Sequence, residues 1–293
     1  MSICVICGAF IYGERGPFRP EKLSLSPVKA MFKRMKRIRI LLGAALLLSL
    51  LPCLAGCGQG KKASSSEWTL ASYNIRNAKG LDGRVSYDRI AAVIRKLGAD
   101  AVAIQEADSA TQRSHGLFVL QELGRRTGMY PVYAPAIDYN GGTYGIGMLC
   151  AEQPVDVKRF PLPGEEERRA LLVVEFPHYV YACTHLSLTE KDRLASVAVI
   201  VGALKGYQKP VFLAGDWNDT PRSPFLSEMK KHFDILTAPD AHTFPADAPE
   251  TTIDYIALLR QDSPQAGCTQ AEVFDAPIES DHRPVKVVVS CGE

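Results

Sequence analysis

Short apolar runs bounded by polar turn residues recur from residue 68 to residue 291 and predict a fold that mixes strands and helices. The runs are strand-length and rich in β-branched and aromatic residues. Strands are predicted at 68–75, 101–105, 130–134, 144–150, 155–160, 170–176, 180–183, 211–214, 252–259, 273–274 and 285–289.

Helical spacing of apolar residues appears in three other segments and predicts helices at 87–97, 118–126 and 193–204. In the last of these, the spacing places Leu194, Val197, Val201 and Leu204 on the inward face. Strands and helices do not alternate strictly, so we expect antiparallel or mixed sheets covered by helices. No repeat or internal linker divides residues 68–293, which we interpret as one domain.

Polar residues stand where these predicted strands end, which suggests one shared cleft. The strand-end residues are Asn74, Glu106, His185, Asp216 with Asn218, and Asp281 with His282, and Asp254 lies near the start of another strand. In an extended backbone, residues i and i+2 point to the same side, so Asp216 and Asn218 are predicted to lie side by side. A carboxylate can hold a hard cation and an amide can donate to an anionic oxygen, a pairing that suits phosphate chemistry. Taken singly, each residue has a structural alternative: a polar turn for Asp216 with Asn218 and for Asn74, a helix cap for Glu106, and a hydrogen-bonded edge histidine for His185.

The charge distribution separates the front of the chain from its body. Residues 1–57 carry nine Lys/Arg and two Asp/Glu, which leaves 25 and 30 in the remaining residues and a body charge of −5. This argues against a non-specific nucleic-acid binder, which needs a basic surface.

The front of the chain has the pattern of an export signal. Basic residues at 33–39 precede an apolar stretch at 40–51 that is short for a membrane span, and the sequence LAGC follows at 54–57. This order resembles a bacterial lipoprotein signal, which implies cleavage before Cys57 and acylation of that cysteine; a transmembrane anchor is the alternative. Residues upstream fit no signal, so we expect the true start at Met31 or Met35 and a polar tether at 58–67. The implied location is the bacterial cell envelope, lipid-anchored at the outer membrane and facing the periplasm or the exterior.

Four cysteines remain in the body, which permits three disulfide pairings in an exported protein. Their spacing is not that of a zinc site, and two of them, Cys150 and Cys183, are expected to be buried in apolar strands. The others are Cys268 and Cys291.

Six blocks of residues occur in a fixed order along the chain: SYNIR at 72–76, IQE at 104–106, THL at 184–186, GDWN at 215–218, IDYI at 253–256 and SDH at 280–282. Together they resemble the DNase I-like endonuclease/exonuclease/phosphatase superfamily over about residues 68–290. The resemblance implies an α/β (α+β) fold, a four-layer sandwich of two stacked mixed β-sheets flanked by helices. It also implies Mg²⁺ as the cofactor, with Mn²⁺ as a substitute.

The resemblance assigns the metal to three residues, with Glu106 as the principal carboxylate and Asn74 and Asp281 beside it. Mg²⁺ prefers oxygen ligands and keeps several waters, so few protein ligands suffice.

The same resemblance implies catalytic roles for five further residues of the six blocks. Asp254 would orient His282, because a carboxylate bound to one ring nitrogen raises the basicity of the other. Asp216 would position or deprotonate the attacking water, and either Asp216 or His282 would be the base. His185 and Asn218 would donate to the phosphate oxygens.

Three further residues are expected to contact substrate. Arg169 resembles an arginine that faces the cleft in several branches of the family, with a solvated charge run as the alternative. Tyr144 begins the segment YGIG, which resembles the strand that lines the substrate cleft in the family; its glycines indicate either close ligand approach or a bulge. Arg76 stands where some nucleases carry an acid, so its cation is expected to contact phosphate.

The function that follows is an exported Mg²⁺-dependent phosphoester hydrolase acting on a small organophosphate or a lipid headgroup. A secreted or surface DNase or RNase is the first alternative, with nucleic acid as substrate only. A catalytically silent binding protein is the second, and no protein partner is implied.

Overall fold

The computed structural model describes residues 66–238, 240–261 and 266–291. The signal segment 1–57 and most of the tether at 58–67 lie outside the described residues. The first strand begins at Ser66, so the last two residues of the predicted tether belong to the folded domain. Among the described residues, no helix has the length and apolar character needed to cross a membrane.

Strands dominate the described part of the chain. The strands are β1 Ser66–Asn74, β2 Ala101–Ser109, β3 Tyr130–Tyr139, β4 Gly142–Cys150, β5 Asp156–Leu162, β6 Arg169–Glu175, β7 Val180–His185, β8 Val211–Asp216, β9 Phe233–Ile235, β10 Asp254–Leu259, β11 Ala266–Val273 and β12 Val285–Cys291. The helices are α1 Tyr87–Leu97, α2 Val119–Thr127, α3 Glu190–Leu204 and α4 Pro224–Met229, with a 3-10 turn at Arg76–Ala78.

The strands form two six-stranded sheets, in the orders β11-β12-β1-β2-β4-β3 and β5-β6-β7-β8-β10-β9. In the first sheet β1 and β2 run parallel, and in the second β7 and β8 run parallel. Their other pairings are antiparallel. The prediction of mixed sheets is confirmed.

The two sheets pack face to face, and helices cover their outer faces. Leu70 of the first sheet and Phe212 of the second belong to one buried cluster between the sheets. Ile90 of α1 closes a second core on the outside of the first sheet, and Ile200 of α3 closes a third outside the second sheet. This is the predicted four-layer sandwich, in which each sheet buries both faces.

Four departures from the predicted elements have local causes. Helix α4 and the three-residue strand β9 were not predicted, because neither is long enough to show a period. Strand β11 was predicted as 273–274 only, because its residues are mostly exposed and polar on an edge of the sheet. Leu194 is 38% exposed rather than inward. The inward position is taken by Arg193, whose guanidinium lies 2.9 Å from the Asp219 carboxylate.

Cys150 and Cys183 are buried, as predicted, and both are free thiols. Burial raises the pKa of each thiol to about 12, so both remain protonated at neutral pH. These two cysteines behave as small core side chains.

Gly215 occupies the position before the end of β8 where no other residue fits. Its φ is +151°, and a Cβ at this position would collide with the Thr184 carbonyl oxygen of the neighbouring strand. The close pairing of β7 with β8 at this point sets the positions of His185 and Asp216, which are register partners. Gly215 therefore allows β7 and β8 to approach closely where they place His185 and Asp216.

We expect Gly215→Ala to lower the free energy of unfolding by about 3 kcal/mol or more, since backbone must shift to relieve the collision. Urea denaturation followed by circular dichroism measures this change. Gly202→Ala is the matched control: it lies in α3 with no atom within 4 Å of the added Cβ. The control should stabilise the helix by roughly 0.5–1 kcal/mol. Equal stabilities for the two variants would contradict this account of Gly215.

Candidate functional site

The carboxylate of Asp216, at the end of β8, is the centre of the predicted cluster. It is 1% exposed. The side-chain amide of Asn74, at the end of β1 in the other sheet, donates to its Oδ2 at 3.0 Å. The backbone N–H of Asn218 donates to its Oδ1 at 2.9 Å. A buried carboxylate needs such partners, because the loss of hydration otherwise costs several kcal/mol.

Two histidines flank this carboxylate. His185 Nε2 lies 3.5 Å from Asp216 Oδ2, and His282 Nε2 lies 3.6 Å from the same oxygen. On its other side, His282 Nδ1 is hydrogen-bonded to Asp254 Oδ2 at 3.0 Å. His185, Asp216 and Asp254 lie side by side on three adjacent strands, since Asp216 pairs in register with His185 on one side and Asp254 on the other.

The pKa values of the two imidazoles are shifted in opposite directions. Burial lowers the pKa of His185 to about 4 against the attraction of Asp216, so this ring is neutral at neutral pH. Burial also opposes the charged form of His282. The carboxylates of Asp254 and Asp216 outweigh that cost and raise the pKa of His282 to about 10. One site thus holds one neutral and one charged imidazole.

Burial raises the pKa of the Asp216 carboxyl, while both histidines act in the opposite direction. A carboxylate with a raised pKa is a better proton acceptor than an ordinary one. Asp216 therefore has the environment expected of an acid–base group.

Glu106 lies within hydrogen-bonding reach of the same cluster. Its Oε1 accepts from Asn74 Nδ2 at 3.0 Å. It was predicted at a strand end, but β2 continues to Ser109 and Glu106 sits at a bulge in its pairing with β4. Its φ of +60° is unusual for a side chain of this size and costs of order 1–3 kcal/mol. The bulge turns the Glu106 carboxylate toward Asn74. No sequence pattern predicts this bulge.

Asp281 and Arg76 form an ion pair at the margin of the cluster, with Arg76 Nε 3.1 Å from Asp281 Oδ2. The prediction gave Arg76 to the substrate phosphate, whereas in the structure it neutralises a predicted metal ligand. Both side chains are partly exposed. Ser280 Oγ donates to the Asn74 backbone carbonyl at 2.8 Å, which ties the loop carrying Asp281 to the end of β1.

Asn218 does not stand beside Asp216 on an extended strand as predicted. Strand β8 ends at Asp216, and Asn218 adopts a left-handed backbone with φ of +50°. Its Nδ2 donates to the Leu186 carbonyl at 2.9 Å, which uses one of the two amide hydrogens. The turn forms because the Asp216 side chain caps the Asn218 N–H, a contact that aspartate favours over continued strand.

Arg169 opens β6 and is buried, with 6% of its side chain exposed. It pairs with Glu166 at 3.3 Å and with Glu167 at 3.1 Å. The alternative of a solvated charge run is therefore wrong. Its charge also contributes to the lowered pKa of His185, which places the two groups in electrostatic reach of each other.

Tyr144 lies on β4 beside Glu106. Burial and the Glu106 carboxylate both raise the pKa of its hydroxyl. The structure therefore brings Tyr144 to the predicted metal carboxylate, and Glu106 connects it to Asn74 and Asp216.

The donor atoms of the cluster suit a hard divalent cation, because carboxylate and amide oxygens are its preferred ligands. The predicted ligands Glu106 and Asp281 are both partly exposed, which leaves their oxygens accessible. A second group, Asp216, Asp254 and His282, has ligand atoms within 4.8 Å of one another. That group is buried and already hydrogen-bonded internally, although Asp254 Oδ1 has no hydrogen-bond partner among the described residues.

Sequence reasoning missed Phe244 at this site. Its ring lies 4.9 Å from the His282 ring, between centroids, and so restricts the imidazole. The backbone N–H of Ala246 donates to the Asp281 carbonyl, so the segment before β10 contacts both Asp281 and His282 of the SDH block. This segment has no strand or helix period, and the sequence carries no signal for its position.

Among solved structures, an endonuclease/exonuclease/phosphatase from Bacteroides vulgatus is 19% identical, covers 77% of this chain and 99% of its own, and has a TM-score of 0.64. A mannosyl-6-phosphatase of Bacteroides thetaiotaomicron is 19% identical, with coverages of 76% and 99% and a TM-score of 0.59. ANGEL2, a 2′,3′-cyclic phosphatase, is 13% identical, with coverages of 77% and 95% and a TM-score of 0.62.

These structural likenesses establish the fold. Compared by sequence alone with curated proteins, the chain matches none. The sequence profile of the Endonuclease/Exonuclease/phosphatase family matches residues 71–282, a span that runs from β1 to His282 and includes every block described above. The chain therefore belongs to the endonuclease/exonuclease/phosphatase family.

Proposed function

We propose that this protein is an exported, Mg²⁺-dependent hydrolase of small phosphate esters. Members of its family hydrolyse phosphoesters with a metal ion. The observation that carries the proposal is the continuous contact from Glu106 through Asn74 and Asp216 to His282 and Asp254. A protein that had kept the fold only for binding would have no need to hold this set of acids and imidazoles together.

The roles proposed for the buried groups follow from their partners. Asp216, whose pKa is raised, is the proton acceptor within reach of an attacking water, whereas His282 is charged and can donate a proton. Asp254 fixes the orientation of the His282 ring through Nδ1. His185 is neutral, so one of its two ring nitrogens carries a hydrogen that can be donated to a phosphate oxygen. The remaining amide hydrogen of Asn218 is the second donor to those oxygens.

Glu106, Asn74 and Asp281 are the residues proposed to hold the divalent ion, Mg²⁺ with Mn²⁺ as a substitute. When bound, such an ion supplies positive charge to the phosphate oxygens. Around it, the buried Arg169 adds a permanent cation on the same side as His185. Arg76 pairs with the Asp281 carboxylate at 3.1 Å and restricts its orientation.

A small ester is favoured over nucleic acid because of the charge of the body. Residues 58–293 carry 30 acidic and 25 basic side chains, and an anionic polymer would need a basic track. Two proteins with the same fold, the mannosyl-6-phosphatase and the cyclic phosphatase, have names that place them among phosphatases. Their identity to this chain is 19% and 13%, so the individual substrate is determined by the assays below.

We expect the full chain, purified in detergent, to hydrolyse a chromogenic phosphomonoester or phosphodiester with Mg²⁺ or Mn²⁺. Activity should disappear in EDTA and return with excess metal. His282→Asn and Asp216→Asn should each lower kcat by about 10²–10⁴-fold, because general acid–base catalysis is worth that much. Steady-state kinetics on matched protein concentrations provides the measurement.

His178→Asn is the matched control, because this histidine is exposed and contacts Trp68 at the opposite end of β1 from Asn74. Its kcat should stay within about twofold of the wild-type value. Melting temperatures of all variants show whether each is folded. Absence of turnover by folded wild-type protein with either metal would refute the enzymatic proposal and favour the binding alternative.

The proposed location rests on the sequence of residues 33–57, which lie outside the described residues. The mature protein would begin at Cys57, acylated and anchored in the bacterial envelope, with residues 58–65 as the connection to the domain. Metabolic labelling with a radioactive fatty acid tests this. Wild-type protein should carry label and Cys57→Ser should not; label on both, or on neither, would refute the anchor.

A further inference from the structure

Beyond Glu106, strands β2 and β4 and the segment between them carry a group of side chains that the proposed chemistry does not use. We call it the tyrosine–arginine cluster. It consists of Tyr139 and Tyr144 from the β3–β4 hairpin, Arg113 from the loop after β2, and Asp108 from β2.

Arg113 is the middle of this cluster. Its guanidinium carbon lies 4.6 Å from the centre of the Tyr139 ring and 5.3 Å from the centre of the Tyr144 ring. Asp108 accepts two hydrogen bonds from it, at 2.7 Å from Nε and 2.9 Å from Nη2. The two rings are 6.0 Å apart. Two hydrogen bonds and two ring contacts hold the guanidinium in one orientation.

The cluster is directly joined to the proposed active site. Asp108 and Tyr144 are register partners across β2 and β4, and Glu106 precedes Asp108 by two residues. Tyr144 touches both sides, since its hydroxyl interacts with the Glu106 carboxylate while its ring contacts Arg113. The alcohol part of a phosphate ester bound at Asp216 and Glu106 would reach Arg113 if it extended along β2 and β4.

The exposure of the cluster is uneven in a way that suits a ligand. Asp108 is 1% exposed, yet Arg113 keeps 34% of its side chain and Tyr139 keeps 38% of its surface exposed. Among the described residues, Arg113 Nη1 has no hydrogen-bond partner. A rigid donor and an open aromatic ring thus lie side by side at the surface.

We propose that the tyrosine–arginine cluster binds the alcohol part of the substrate and that this alcohol is a hydroxylated ring, as in a sugar phosphate. The inference rests on the proposed phosphoester hydrolysis. Tyr139 offers a flat apolar surface for one face of the ring, and Arg113 Nη1 donates to a ring hydroxyl.

Charge favours a hydroxylated ring over a second phosphate group. The single cation of Arg113 is already neutralised by Asp108, and the nearby carboxylates of Glu106 and Glu167 influence each other electrostatically. Another anion would be repelled here, whereas hydroxyl groups can donate to carboxylates and accept from the guanidinium.

The test uses the full chain with Mg²⁺ and two pairs of substrates. One pair is a hexose 6-phosphate and its methyl diester; the other is ethyl phosphate and its methyl diester. For each variant the ratio of kcat/KM for the hexose ester to that for the ethyl ester is measured. Wild-type protein should prefer the hexose ester. Tyr139→Ala should reduce this ratio roughly three- to tenfold, the value of one aromatic contact.

Two control variants distinguish loss of the Tyr139 ring contact from a general effect of substitution on activity. Tyr139→Phe keeps the aromatic ring and should retain the wild-type ratio. Tyr130→Ala removes another exposed tyrosine of β3, which is 50% exposed and stands at the far end of the strand, and should also retain it.

Three results would overturn the inference. They are an unchanged ratio in Tyr139→Ala, an equal reduction of the ratio in Tyr130→Ala, and equal kcat/KM values of wild type for the ethyl and hexose esters. These leave the phosphoesterase proposal intact, because ethyl ester hydrolysis is still observed. Hydrolysis of none of the four esters would instead refute the proposed function, and the inference with it.

Discussion

The hydrogen bond from Asn74 to Asp216 joins the two sheets at the place where the polar groups collect. The two residues are 142 positions apart in sequence, and both are buried. Asp216 is stable there because a donor from the other sheet, the backbone N–H of Asn218 and two neighbouring imidazoles compensate its lost hydration. The hydrogen bonding of the cluster therefore depends on the stacking of the sheets. If the sheets slid past each other, the buried Asp216 carboxylate would lose its donor Asn74.

Sequence patterns predicted most of the fold because most elements bury a regular apolar face. The helix at Tyr87–Leu97 was predicted with its bounds, and the strand before Asp216 was predicted to within two residues. The pattern failed where contacts distant in sequence decide the outcome. Leu194 has the spacing of a core residue, but Arg193 turns inward to reach Asp219. The edge strand β11 lacks the apolar period that its central neighbours show.

The members of the site could be predicted, but their hydrogen bonds could not. Six short blocks indicated the residues that now surround Asp216, and the structure brings together the acids, amides and imidazoles among them. The bulge that turns Glu106 inward, the left-handed turn at Asn218 and the pairing of Arg76 with Asp281 depend on tertiary contacts. The sequence also gave no indication of Phe244 against His282 or of Arg113 between two tyrosines.

The account divides the buried groups into a metal side at Glu106 and an acid–base side at Asp216, Asp254 and His282. Anomalous diffraction from crystals soaked in Mn²⁺ tests this division most directly. The account predicts a peak beside the carboxylate of Glu106, with Asn74 and Asp281 as the nearest other ligands. A peak between Asp216, Asp254 and His282, with none at Glu106, would contradict it.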